Sequence, residues 1–207
     1  MREPYNPLSK LNLARSIEGE VLSRQLQPLK SLGSFSGAGI YLLYYAGDLA
    51  MYEPLRDSLA TENPRPIYVG KAIPEGGRIG GLTNSETKTT ALASRLRAHS
   101  RSISKAVNLS LDDFLARFLV VDDVWIPLGE NMLIDTYRPV WNRVVSGFGN
   151  NPLGAGRIRQ RVSLWDILHP GRVAEVDASA QVTNQAELEQ RVINYLAGHA
   201  VPESAED

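Results

Sequence analysis

The sequence contains no cysteine, which excludes disulfide bonds and thiolate metal ligands. Any bound metal ion would therefore need oxygen or imidazole ligands. The sequence also has no run of about 18 apolar residues, so we expect no transmembrane helix. Its N-terminus lacks the apolar stretch of a signal peptide. From these absences we expect a cytoplasmic protein that does not enter a membrane.

An excess of positive charge is missing as well. Lys and Arg number 22 and Asp and Glu number 23, which gives a formal net charge of -1. Nucleic-acid-binding proteins usually carry a basic excess, so the overall balance argues mildly against that class. Basic residues are nevertheless concentrated at 95–105 and 157–172, and acidic residues near the C-terminus. A chain polarised in this way can present a basic face to phosphate while staying near neutral.

The hydrophobic pattern predicts a mixed fold. With 43% hydrophobic residues, the chain is apolar enough to form a core. Periodicity predicts strands over 40–45, 67–70 and 118–125, and helices over 91–107, 112–117, 128–137 and 184–197. This order predicts an α/β fold in which a small mixed or antiparallel three-stranded sheet is flanked by helices.

The chain is predicted to consist of a core with two extensions. The core covers 37–147 and carries insertions at about 46–66 and 72–90. An N-terminal arm or helix precedes it over 1–36. A C-terminal extension with an acidic tail follows over 148–207.

One carboxylate lies on the apolar face of a predicted helix. Glu130 shares a face of helix 128–137 with Leu133, Ile134 and Tyr137. Burying an unpaired carboxylate is costly, so Glu130 needs a cation, a metal ion or hydrogen-bond donors. Capping of the positive end of the helix is the common alternative. The pattern alone leaves both interpretations open.

A basic pair lies on the predicted helix 91–107. Arg95 and His99 are four residues apart, so their side chains can reach the same point. Arginine binds phosphate well, and histidine exchanges protons near neutral pH. Taken alone, such a pair usually belongs to a solvated helix face.

Six short elements occur in a fixed order and resemble the GIY-YIG nuclease superfamily. They are Gly39-Ile40-Tyr41, Tyr68-Val69-Gly70, Lys71, Arg95 with His99, Glu130 in Gly-Glu-Asn, and Asn142 after Pro139. Each element is weak evidence by itself, and the complete ordered set over 37–145 is strong evidence. The resemblance implies that the predicted α/β core is a GIY-YIG catalytic core.

Two long spacings resemble one branch of that superfamily. Tyr41 and Tyr68 are 27 positions apart, and the segment from Gly70 to Arg95 is also long. Both insertions are similar to those of type II restriction enzymes, notably the branch that cuts the palindrome CCGCGG. His99, where repair members carry Tyr, agrees with that branch. The resemblance implies a site-specific endonuclease for double-stranded DNA.

The same resemblance implies a site with one metal ion. Phosphodiester hydrolysis needs an activated water and neutralisation of the phosphoryl charge. We expect one Mg²⁺ or Mn²⁺ ion on Glu130, completed by phosphate oxygen and water. Arg95 would neutralise the scissile phosphate.

The expected general base is a tyrosine. A free phenol has a pKa of about 10, so Tyr41 would need the positive field of Lys71, Arg95 and His99 to form phenolate. His99 would accept or relay the proton. Tyr68 would position phosphate or water. The alternative for both tyrosines is that they are strand aromatics packed in the core.

Asn142 is expected to hold the backbone around the metal site. It follows Pro139 in the last of the six elements.

One such site cuts one strand, so we expect a homodimer on a palindromic duplex. Guanine is read in the major groove by Arg or Lys. The candidate DNA-binding residues are Arg78, Lys88, Arg157, Arg159 and Arg161. The last three share one face if their segment is extended. The alternative for each residue is a solvated loop charge.

Three other functions stay open. A non-catalytic DNA-binding protein on a nuclease scaffold is disfavoured because Glu130 and Arg95 are both present. A repair-type or homing-type nicking enzyme usually has a separate DNA-binding module, and the chain after Asn142 leaves little room for one. An unrelated α/β protein would need six coincidences in order.

Overall fold

The computed structural model describes residues 6, 9–74, 89–149, 162–172 and 183–204. The strands are β1 (Gln27–Pro28), β2 (Gly39–Tyr45), β3 (Tyr68–Ala72) and β4 (Phe114–Val120). The helices are α1 (Lys10–Ser23), α2 (Glu53–Ser58), α3 (Ala91–Lys105), α4 (Ile126–Tyr137), α5 (Val140–Arg143), α6 (Leu164–Leu168) and α7 (Gln185–Leu196). No helix among these residues is long and apolar enough to cross a membrane.

The four strands form one antiparallel sheet in the order β1-β4-β2-β3. The α/β prediction with a flanked small sheet is confirmed, and the sheet has one strand more than the three expected. The additional strand is β1, in which only Gln27 and Pro28 pair with β4. Two residues are too few to show an alternating pattern, so the sequence does not reveal this strand.

The prediction for β4 was wrong in its position. Segment 112–117 was expected to be helical, with a strand over 118–125. The strand instead begins at Phe114, and residues 123–125 form a short 3-10 turn. β4 pairs with β2 along its whole length, from Phe114 opposite Tyr45 to Val120 opposite Gly39. The extent of β2 therefore determines where β4 begins and ends.

The central strand β2 is buried on both faces. Its seven residues are all buried, and their side chains alternate between two apolar clusters. Tyr41 and Leu43 pack in a cluster that includes Leu92 and Leu96 of α3. Ile40, Leu42 and Tyr44 pack in the other cluster, which contains residues of α1 and α4. Burial on both faces explains why β2 is an uninterrupted apolar and aromatic run.

Residues after position 147 contribute to the same core. Trp165 and Leu168 of α6 and Leu188 and Val192 of α7 belong to the cluster that contains Tyr41. α7 begins with a capping box between Asn184 and Glu187. The predicted division into an N-terminal arm, a core and a C-terminal extension stays a prediction, but apolar side chains on both sides of position 147 share one core.

Candidate active site

Gly70 creates the space in which two phenols meet. Tyr41 of β2 lies opposite Gly70 of β3. A Cβ atom at position 70 would lie 2.4 Å from the Tyr41 oxygen and 2.8 Å from Cε1 of Tyr68. The absence of a side chain lets the Tyr41 ring extend across β3, which is the edge strand of the sheet. The centroids of the two phenol rings lie 6.2 Å apart.

α3 directs its basic pair toward these phenols. Leu92, Leu96 and Ile103 bury one side of the helix. His99 is then almost fully buried, and its Nε2 lies 2.6 Å from the Tyr41 oxygen. The Arg95 guanidinium is close enough to both phenols to lower their pKa values. The structure thus brings Tyr41, Tyr68, Arg95 and His99 together.

Burial determines the protonation of the Tyr41–His99 pair. It raises the pKa of Tyr41 well above its ordinary value, and this outweighs the lowering by Arg95. Burial also lowers the pKa of His99 well below its ordinary value, with further lowering by Arg95 and Arg172. At neutral pH the phenol therefore keeps its proton and the imidazole is neutral, and the two share the 2.6 Å hydrogen bond.

This result corrects one expectation from the sequence. The positive field of Lys71, Arg95 and His99 was expected to favour phenolate on Tyr41. His99 carries no charge at neutral pH, and the loss of solvent around the phenol exceeds the effect of Arg95. The other part of the expectation, that His99 accepts or relays the proton, stays a prediction.

Glu130 and Lys71 reach the site from the other face of the sheet. Val69 packs in the cluster that contains residues of α4, and Lys71, two residues further along β3, points to the same face of the sheet. Tyr68 packs in the cluster that contains residues of α3, on the opposite face. Lys71 Nζ lies 2.5 Å from Glu130 Oε2. Glu130 raises the pKa values of Tyr41 and Tyr68, so it acts on the same group of residues.

Glu130 is not a helix cap. It is the fifth residue of α4, and the first turn contains no acidic residue. Its side chain is 13% exposed, and Lys71 supplies the cation partner that such a buried carboxylate requires. The interpretation based on the helix end is therefore excluded.

Asn142 of α5 holds the edge strand. Its Oδ1 accepts a hydrogen bond from Val69 N at 2.8 Å, and its Nδ2 donates to Val69 O at 2.9 Å. The amide side chain thus pairs with β3 as a neighbouring strand would. Val69 lies between Tyr68 and Gly70, so Asn142 positions the strand that carries the second phenol.

A short loop that the sequence did not single out also forms part of the site. The Phe148 ring stacks on His99 with centroids 4.4 Å apart. The carbonyl of Gly149 accepts a hydrogen bond from Arg95 at 2.5 Å. A Cβ atom at position 149 would lie 2.6 Å from the Tyr68 oxygen. A single aromatic between two glycines, Gly147-Phe148-Gly149, is the signal that could have revealed this loop.

The residues fit a single hard cation. Within the described ranges, no three His, Asp or Glu side chains come together as a metal site. Mg²⁺ commonly uses one or two protein carboxylates and takes its other ligands from phosphate and water. Glu130, which is close enough to the two phenols to raise their pKa values, provides one such carboxylate.

The sequence also predicted residues that contact DNA. Arg78, Lys88, Arg157, Arg159 and Arg161 all lie outside the described residues. Their role stays a prediction.

The chain matches the family model described as the Eco29kI GIY-YIG domain over residues 33–196. The matched segment contains all six elements of the site and extends through α7. No curated protein matches the chain.

Proposed function

The chain belongs to the Eco29kI GIY-YIG family, a family of type II restriction endonucleases, and on this premise we propose that it cuts both strands of a short DNA palindrome. The observation that carries the proposal is the meeting of three groups at the edge of β3. These are the two phenols, the Arg95–His99 pair and the Lys71–Glu130 pair.

The proton path starts at the attacking water. Its oxygen attacks phosphorus, and its proton moves to the Tyr41 oxygen while the phenol proton moves to Nε2 of His99. The bond from phosphorus to the leaving oxygen breaks, and the alkoxide takes a proton from solvent. The 2.6 Å hydrogen bond supports this relay. Burial and Arg95 disfavour a positive charge on His99, so the imidazole holds the proton only during the reaction. General-base catalysis of this kind contributes about 10²-fold to 10⁴-fold.

The remaining residues bind and orient the phosphate. Arg95 neutralises the non-bridging oxygens, and Tyr68 orients phosphate or water beside it. Glu130, with Lys71 as its neighbour, would hold one Mg²⁺ or Mn²⁺ ion. When bound, that ion supplies Lewis-acid stabilisation of negative charge near the leaving oxygen. Asn142 keeps β3 in place through Val69.

The target is proposed to be CCGCGG, by the family resemblance of the two long spacings. A palindrome presents two equivalent phosphates, so we propose that the chain acts as a homodimer on DNA. Cleavage of a CCGCGG duplex and of a duplex with one altered base pair compares the sites directly. Single-strand nicks, or a preference for a branched substrate, would indicate the repair-type or homing-type activity instead.

The decisive experiment separates cutting from binding. Glu130→Gln keeps the shape of the side chain and removes its charge. We expect cutting with Mg²⁺ to fall by roughly 1000-fold, because metal assistance contributes several kcal/mol. Duplex binding, measured without a divalent ion, should be retained.

The matched control is Asp135→Asn on the same helix. Asp135 is 76% exposed and pairs with Arg143, so its cutting rate should stay near that of the unaltered chain. Undiminished cutting by Glu130→Gln would refute the metal assignment. DNA binding without any cutting by the unaltered chain would indicate a non-catalytic DNA-binding protein.

A further inference from the structure

A buried ion pair lies in the C-terminal part of the chain. Arg172 Nε and Nη2 each donate to the Asp166 carboxylate at 2.8 Å, and both side chains are less than 10% exposed. Ser163 Oγ also donates to this carboxylate, at 2.7 Å. Buried ion pairs add little stability compared with apolar residues of similar size. The pair therefore calls for an explanation other than stability.

The same guanidinium holds the loop Gly147–Gly149. Arg172 Nη1 donates to the carbonyl of Phe148 at 3.0 Å, and Nη2 donates to the carbonyl of Gly147 at 2.9 Å. Gly147 has φ of 104°, and a Cβ atom there would lie 2.1 Å from the Cβ of Ser163. The loop thus passes closely over the start of α6, in a conformation that requires glycine.

The other side of this loop contacts two residues of the site. The Phe148 ring stacks on His99 at 4.4 Å and 18°, and it also contacts Tyr68 at 5.0 Å. Gly149 accepts the hydrogen bond from Arg95. The loop Gly147–Gly149 therefore connects the Arg172–Asp166 ion pair to His99 and Arg95 of α3.

We propose that Arg172 and Asp166 are positioning residues of the nuclease reaction. They hold the loop so that Phe148 sets the orientation of the His99 ring and Gly149 sets that of Arg95. The inference rests on the function proposed above. Small misplacement of reacting groups can cost about 100-fold in rate, so a loop that keeps His99 in its 2.6 Å contact with Tyr41 should affect the rate of cutting.

Two substitutions test this arrangement in the full chain. Arg172→Lys keeps the positive charge but loses the planar fork that joins one carboxylate to two carbonyls. Asp166→Asn is milder, since its amide oxygen can still accept from Arg172. We expect kcat on the duplex to fall by about 10-fold to 100-fold in Arg172→Lys, and by less in Asp166→Asn. KM for the duplex should change little.

Arg56→Lys is the matched control. Arg56 is also a paired arginine, but its partners are Asp48, Glu53 and Asp57 around α2. Its kcat should match that of the unaltered chain. The melting temperature of every variant confirms that each is folded at the assay temperature, and Asp166→Asn carries the test if Arg172→Lys is unfolded there.

A second readout does not depend on cutting. The chain has three histidines, so spectra of histidine-labelled protein contain three imidazole signals. Stacking on Phe148 should shift the His99 signal upfield through the ring current. In Arg172→Lys this signal should move toward that of His199, while the His199 signal stays in place.

The outcomes separate the inference from the proposed function. An unchanged kcat and an unchanged His99 signal in the folded variants would overturn the inference. An unaltered chain that cuts no duplex with Mg²⁺ or Mn²⁺ would instead overturn the proposed function. In that case the imidazole spectra still show whether the ion pair positions the His99 ring.

Discussion

The protein contains two buried tyrosine–histidine pairs with similar geometry and different surroundings. The Tyr41 oxygen lies 2.6 Å from Nε2 of His99, and the Tyr52 oxygen lies 2.8 Å from Nε2 of His169. Burial keeps both imidazoles neutral, and it lowers the pKa of His169 to about 3. A buried phenol–imidazole hydrogen bond alone therefore does not identify a catalytic pair.

The Tyr52–His169 pair is hydrogen-bonded at both ends to neutral side chains. Trp141 Nε1 donates to the Tyr52 oxygen at 2.8 Å, so the phenol proton is left to donate to Nε2 of His169. The proton of His169 then lies on Nδ1 and is donated to Asn108 Oδ1 at 3.0 Å. Each group in this series of hydrogen bonds has a partner, which is the arrangement of a structural network.

The Tyr41–His99 pair lies instead among charges of both signs, whereas the charged side chain that acts on Tyr52 is the carboxylate of Glu189. Arg95 and Glu130 both act on Tyr41, in opposite directions. Glu130 is in turn paired with Lys71, which is 38% exposed at the sheet edge. The comparison shows that charged neighbours near an exposed edge, rather than the hydrogen bond itself, distinguish the candidate site from the core network.

Removing each phenol oxygen in turn tests this distinction and should produce the largest effect. Tyr41→Phe should lower the single-turnover cutting rate by about 10²-fold to 10⁴-fold, because the proton relay is lost. Tyr52→Phe should cut at a nearly normal rate. It should instead lose about 1–3 kcal/mol of unfolding free energy, because Trp141 and His169 lose a buried partner. Equal losses of cutting in both variants would refute the comparison.

A methyl group at position 70 should produce the next largest effect. Gly70→Ala places a Cβ atom against the Tyr41 oxygen, so the phenol must move away from His99. We expect the cutting rate to fall by about 100-fold. Gly33→Ala is the control, since a Cβ atom there meets nothing within 4 Å. A Gly70→Ala variant that cuts normally would show that the position of the Tyr41 phenol is not critical.

Acid stability should also change, and the change should involve both pairs. Their histidines have lowered pKa values when folded, so between pH 6.5 and about 3 the unfolded chain binds more protons. Stability should therefore be complete above pH 6.5 and fall as the pH decreases, by up to about 1.4 kcal/mol per pH unit for each histidine. Urea unfolding from pH 7 to pH 4.5 measures this loss.

His169→Gln provides the comparison for acid stability. This variant should lose less unfolding free energy over the same pH range, because one of the two neutral buried imidazoles is absent. A pH dependence as steep as that of the unaltered chain would mean that His169 is protonated in the folded state.

Much of the site could be predicted from local sequence patterns. The family inferred from the six ordered elements is confirmed by the match over residues 33–196. The spacing of Arg95 and His99 identified one helix face, and the apolar neighbours of Glu130 identified a carboxylate that needed a cation. The structure places these side chains together as their positions on helix and strand indicate, because helix and strand periods are local properties of the chain.

The protonation of the Tyr41–His99 pair could not be predicted in the same way. The sequence shows which charged residues are present, and from them we expected a phenolate. The outcome depends on how completely the two side chains lose contact with water, and that is determined by packing of α3 and Phe148 against the sheet. Desolvation is a property of the folded surroundings rather than of neighbours in the chain.

The sequence by itself determined the order of the six motif elements, the apolar run of β2 and the residue types that could act on a phosphate. Only the tertiary structure decided that β4 begins at Phe114, that His99 is neutral and that Arg172 holds the loop beside it. Arg172 lies 24 positions from Phe148 in the chain. Contacts over such separations depend on how the elements pack, which no local pattern records.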